Sequence, residues 1–169
     1  MRSIPDPGFA GDEGAVDPAL AAALTAYDAA PEADLAVRHF AALAALQDAR
    51  VLVPVVALLG EMEYDEHGRA HDKTSDMAAV LMTGLDGRTA LLAFTGSGSL
   101  GRWARSAEGR DARPVPVTAR HAARAALQDG ASALLVDVAG PVLFVVEDDD
   151  LTALAEGHRL VRLDDVDPT

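Results

Sequence analysis

The segment Asp72-Lys73-Thr74-Ser75-Asp76 holds the single lysine of a chain that otherwise uses arginine thirteen times. Lysine presents a compact, rotatable ammonium where arginine presents a planar fork, so the two are not interchangeable at a binding surface. The plain reading is local ion pairing of Lys73 with Asp72 or Asp76. The functional reading is a polar surface on which Asp72, Lys73, Ser75 and Asp76 meet a partner. Trp103, the one tryptophan, reads first as a packing anchor. Its second reading is partner binding, because tryptophan is enriched where interfaces concentrate their energy.

Three other patterns could carry chemistry. Gly96, Gly98 and Gly101 spell G-x-G-x-x-G, but a dinucleotide site needs that turn to open a long helix in a βαβ unit, with an acid closing the next strand. Here the preceding strand belongs to a hairpin and Arg120 stands after the following strand-like piece, so the glycines read as a flexible serine–glycine loop. Glu61, Glu63, Asp65, Glu66, His67 and His71 offer oxygen and imidazole ligands. Gly68 weakens any helix that would bring both histidines to one face, and a solvated acidic loop is expected, with no metal. Ser97 and Ser99 lack a nucleophile-elbow sequence, and His121 stands on an alanine-rich helix. No catalytic constellation is expected and no cofactor is implied.

These segments sit in an acidic chain. A formal charge of −13 over 169 residues repels phosphate backbones and anionic lipid surfaces, and no basic stripe with interleaved aromatics opposes that field. Nucleic-acid and membrane partners are therefore not expected. The absence of cysteine removes disulfides and thiolate chemistry. The longest apolar run, at 51–59, is too short to span a bilayer, and the N-terminus lacks the apolar stretch of a secretory signal. A cytoplasmic protein is expected. The arginine bias, the abundant alanine, the lack of asparagine and the lone Ile4 are the marks of a GC-rich bacterial genome.

The elements that must position the candidates follow from local chemistry. Residues 1–16 read as a disordered arm, mixing acids with Pro and Gly without apolar period. Asp17-Pro18 starts a helix that Pro31 breaks, and a second helix is expected over about 33–48. VLVPVVALL reads as a buried strand, with Pro54 near an edge or bulge. A polar stretch then leads to 76. The runs at 77–85 and 88–95 flank Asp86-Gly87, suited to a type I′ hairpin turn. A short helix is expected around Trp103 at 99–106, then a strand-like RPVPVT. The next helix is capped by Thr118 and ended by Gly130. Two strands meet across Ala139-Gly140. The acids at 147–150 open a last helix at the positive end of its dipole, Gly157 ends it, and HRLVRL forms a short strand. Hairpins separated by helices without βαβ regularity give an α+β class, with a mixed, largely antiparallel sheet in one domain at 17–163 and an acidic tail at 164–169.

Several of these segments together resemble the N-terminal domain of the SseB family, named for enhanced serine sensitivity. ARVLVPVVA at 49–57, DKTSDMA at 72–78 and GLDGRTALLAFTG at 84–96 carry the likeness. Trp103, ARPVPVTARHAA and GASALLVDVAGP continue it. DPALAAALTAY is similar to actinobacterial members, and the likeness spans about 18–157. It implies a single-domain member with no catalytic residues to carry over. The expected function is a non-catalytic protein-binding or adaptor module with Asp72, Lys73, Ser75, Asp76 and Trp103 at its surface. The alternative is a small-molecule binder or weak enzyme acting on an amino-acid-related metabolite.

Overall fold

The computed structural model describes residues 9–58, 63–64, 70–71, 76–106 and 109–160. Helix α1 (Pro18–Asp28) leads through a 3-10 turn at Glu32–Asp34 to α2 (Leu35–Leu46) and strand β1 (Arg50–Leu58). The short strands β2 (Glu63–Tyr64) and β3 (Ala70–His71) precede β4 (Asp76–Ala79), β5 (Leu81–Thr83) and β6 (Thr89–Ala93). Then come α3 (Ser97–Ala104), β7 (Arg113–Thr118), α4 (Ala119–Gln128), β8 (Ala133–Val136), β9 (Phe144–Glu147) and α5 (Asp148–Glu156). This is an α+β fold in a single domain. One sheet runs β4-β1-β7, all antiparallel, and the other β5-β6-β8-β9, in which only β6 and β8 are parallel. The polar stretch after β1 contains a third, two-stranded ladder in which Glu63 faces His71.

Strand alternation sorts the apolar residues onto two faces. Val51, Val53, Leu91, Ala93, Leu134, Val136, Phe144 and Val146 enter the main core with α1, α2, α4 and α5. Ala119, Ala122, Ala123 and Ala126 of α4 are all buried at helical spacing, and their small side chains let α4 lie close to the sheet. On the other face Leu52, Leu92 and Phe94 pack with Trp103 of α3 in a smaller cluster.

Pro54 sets where the two sheets divide. It lies in the central strand of the first sheet, not at an edge, with Pro114 of β7 as its Cα partner. Its carbonyl accepts from Val80 N–H at 2.9 Å, but it has no N–H to return. The Val80 carbonyl instead accepts from Leu92 N–H of β6 at 3.3 Å. The chain of β4 thus leaves β1 at Val80 and continues as β5 alongside β6. The sheets stay stitched next to this branch, where Leu52 and Phe94 exchange hydrogen bonds of 2.8 and 2.9 Å. Pro116 faces Leu52 from β7; Leu52 turns its polar groups toward Phe94, so the missing donor of Pro116 costs the ladder nothing.

Three further expectations change. The β5–β6 hairpin is not closed by a type I′ turn. Gly87 N–H donates to Gly84 O at 3.0 Å and Gly84 pairs with Arg88. Only Gly87, at φ 80, has positive φ in this turn, the pattern of a type I turn followed by a left-handed glycine. Asp86 keeps negative φ because its carboxylate accepts from Arg88 N–H at 3.0 Å. Residues 97–98 are the first turn of α3 and not a loop. Residues 9–16, composed like a disordered arm, are packed. The Arg50 guanidinium donates to Asp12 Oδ1 at 2.9 Å, to Thr95 O at 3.0 Å and to the Ala15 carbonyl, and Ser97 N–H donates to Gly14 O at 2.8 Å. One half-buried cation can organise several acceptors in a segment without apolar pattern.

Gly96 is the contact point of that arm. A Cβ added there would stand 2.7 Å from Val16 Cγ2 and 2.8 Å from Gly14 O. Gly96→Ala is expected to push residues 9–16 off α3, costing about 1–3 kcal/mol. Hydrogen exchange should show faster exchange at the Ser97 amide, with α4 and α5 unaffected. Unchanged protection of Ser97 would refute this contact.

HRLVRL does not begin as a strand. Gln47, 5 % exposed, donates Nε2–H to Leu160 O at 3.0 Å and accepts from Leu160 N–H at 2.9 Å. Its amide stands in for a backbone partner and holds residues 158–160 against the end of α2. Residues 161–163 lie outside the described residues.

Candidate functional site

Trp103 is brought to the branch in the sheet by α3, whose N-terminus is fixed by Gly14. Its indole is 4 % exposed and lies tilted on Phe94, ring centroids 5.4 Å apart. Its carbonyl accepts from Ser106 N–H at 2.8 Å and Ser106 Oγ–H at 2.6 Å. Gly109 packs so closely that a Cβ there would approach Cε3 to 3.0 Å. The ring is therefore clamped. Its Nε1–H is nonetheless buried without a hydrogen-bond partner among the described residues. Buried indole N–H groups ordinarily find one.

Beside the indole lies a cavity of about 200 Å³, walled by Val80, Leu81, Met82, Thr83, Leu92 and Trp103. One wall is thus β5. Leu92 N–H donates to Val80 O and Gly84 N–H to Arg88 O, so Val80, Met82 and Gly84 face β6 by strand alternation. The backbone groups of Leu81 and Thr83 point the other way, along an edge that no described strand pairs. The opposite extreme of the fold is different: β7, the edge of the first sheet, carries Pro114 and Pro116, which blunt it.

Of the residues singled out by sequence, Asp72, Lys73 and Ser75 lie outside the described residues. Asp76 opens β4 opposite Leu58, four residues and about 13 Å of strand before the Val80 end of the cavity. Trp103 and the strand that follows DKTSD therefore share one region, whereas Asp76 sits at the far end of that strand. The G-x-G-x-x-G glycines do not form a phosphate cradle: the space over Gly96 is filled by Val16 and Gly14. Ser99 is buried with its Oγ–H on Gly96 O at 3.1 Å, and His121 is exposed, with only its backbone N–H on the Thr118 Oγ1 cap. No group of three or more metal-ligating side chains occurs among the described residues. No helix of the described residues is long and apolar enough to cross a membrane.

One pair escaped sequence reasoning. Asp137, at φ 55 and 1 % exposed, accepts from Thr95 N–H at 2.8 Å and from Thr95 Oγ1–H at 2.7 Å. It joins the end of β8 to the turn that launches α3. The signal lay in an acid following the apolar run ALLV, where a strand leaves the core.

Comparison with curated proteins finds no match, and comparison with solved structures finds none. The SseB protein N-terminal domain matches residues 20–153. That span runs from α1 into α5 and contains the sheet branch, Trp103 and the Thr95–Asp137 pair, so the chain belongs to the SseB N-terminal domain family.

Proposed function

We propose that this protein is a non-catalytic protein-binding module that takes an extended segment of its partner along the outer edge of β5. The carrying observation is the coincidence, among the described residues, of an unpaired strand edge, a cavity beside it and a clamped indole whose buried N–H has no acceptor. Strand addition supplies main-chain hydrogen bonds to Leu81 and Thr83, and alternate side chains of the added strand reach neighbouring hollows. An oxygen of the partner satisfies Trp103 Nε1. The non-catalytic part is supported by Ser99, buried with its Oγ–H on the Gly96 carbonyl.

Two substitutions test this. Thr83→Pro removes an outward N–H at an edge position where proline is tolerated. Trp103→Phe keeps the aromatic packing and removes only the donor. Because that donor has no acceptor among the described residues, Trp103→Phe is expected to cost less than about 1.5 kcal/mol in urea unfolding, against about 3–5 kcal/mol for Trp103→Ala. In pull-downs from the native host, partners retained by the wild type should be lost with Thr83→Pro and weakened with Trp103→Phe. If both folded variants retain every partner, the β5 edge is not the binding surface.

A further inference from the structure

A second cavity, with a buried acid in its wall, lies away from β5. A cavity of about 210 Å³ opens between α1, α3 and the start of β9, and Asp137, Thr95, Ser99 and Arg102 line it together with Leu24 and Val142. The Asp137 carboxylate is 1 % exposed and receives only the two hydrogen bonds from Thr95. An ionised carboxylate offers about four acceptor positions, so half are unfilled by the described residues. No cationic side chain among them pairs with it. A buried carboxylate without a cation is unfavourable, and the same low-dielectric setting strengthens its attraction for a donor that carries positive charge.

We propose that this cavity is a binding site for a small primary monoamine, whose ammonium group donates to Asp137 while its short hydrocarbon tail lies against Leu24, Val142 and Pro141. The volume exceeds the roughly 150 Å³ that accommodates benzene in a dry protein cavity, so a ligand of about four to ten heavy atoms fits. A divalent metal ion is a poor occupant, because calcium takes at least about six oxygen ligands and these walls are largely apolar. Arg102, exposed at the rim, disfavours a second positive charge and so selects a monoamine over a diamine. The site is independent of the β5 edge, and its failure leaves that reading intact.

The test is an amide-resolved NMR titration of the full chain with n-propylammonium chloride at constant ionic strength. Saturable shifts are expected at Thr95, Ser99 and Asp137, and none with 1-propanol or propionate. Asp137→Asn keeps an acceptor for Thr95 N–H and suits the left-handed backbone, so it should fold and bind at least about tenfold more weakly. Ala21→Leu fills the cavity without touching Asp137 and should weaken binding to a similar extent. Arg102→Gln removes repulsion and should tighten binding by about two- to threefold. Absence of saturable shifts, or unchanged affinity in either Asp137→Asn or Ala21→Leu, overturns the proposal. So does propionate binding that Arg102→Gln abolishes, which would mark an anion site.

Discussion

Phe144→Ala is expected to lower the unfolding free energy by about 3–5 kcal/mol, the range for deleting a fully buried aromatic ring. Phe144 is 0 % exposed in β9. Its ring meets Tyr27 of α1 edge-on at 5.2 Å and His39 of α2 at 5.0 Å, and its backbone lies opposite Val136 of β8. His39 also contacts Asp150 of α5 at 2.9 Å. One side chain therefore sits where two helices and the sheet meet, and the chain has few aromatics to replace it. Relaxation into the space would have to move α1, α2 or β9, each tied elsewhere, so little of the cost can be recovered. Urea unfolding should show a lower midpoint with an unchanged slope. A loss below about 1 kcal/mol would mean that the site collapses freely, contrary to this packing.

Asp137→Ala should be nearly as severe, at about 3 kcal/mol or more, while Asp137→Asn stays within about 1 kcal/mol. Alanine leaves both Thr95 N–H and Thr95 Oγ1–H buried without their acceptors, since Thr95 is itself 3 % exposed. It must also adopt φ 55, a region that asparagine and aspartate enter far more readily than alanine. Asparagine keeps the shape, accepts from the amide and donates to the hydroxyl. The diagnostic quantity is the gap between the two variants under the same denaturant conditions. Equal losses would show that the carboxylate's bonds to Thr95 contribute little.

What could be read in advance was local. Asp17 accepts from Leu20 N–H at 3.0 Å with Pro18 behind it, Thr118 accepts from His121 N–H at 3.2 Å, and Gly130 and Gly157 adopt positive φ at helix ends. Each is a bargain between residues within a few positions, so residue type alone settles it. The hairpin around Gly87 was legible as a hairpin, but its turn type depended on which way Asp86 spent its carboxylate. The docking of residues 9–16 was not legible, because its cause is Arg50, thirty-eight positions from Asp12 in the chain. The parallel pairing of β6 with β8 was hidden for the same reason: α3, β7 and α4 intervene. At the candidate site, Trp103 stood out as the single tryptophan. That its donor would be buried without a partner depends on Gly109, Phe94 and β5 converging, which no spacing in the sequence encodes. Asp137 was passed over because an acid after a strand usually faces water.

The proline in β1 also bears on how the protein comes apart. In an uninterrupted ladder each opened rung weakens the next, and disorder at an edge can spread across a sheet. Here the strand that runs from Asp76 to Thr83 changes neighbour at Val80, because Pro54 cannot complete the rung. Loss of β5 from β6 is therefore expected to end at Val80 and to leave β4 on β1, so that β4 and β5 open as separate units. Pro54→Val would restore a donor that competes with Leu92 for the Val80 carbonyl, coupling the units. The missing hydrogen bond thus acts as insulation, a gap in the ladder at Val80 that an opening on the β5 side need not cross to reach β4.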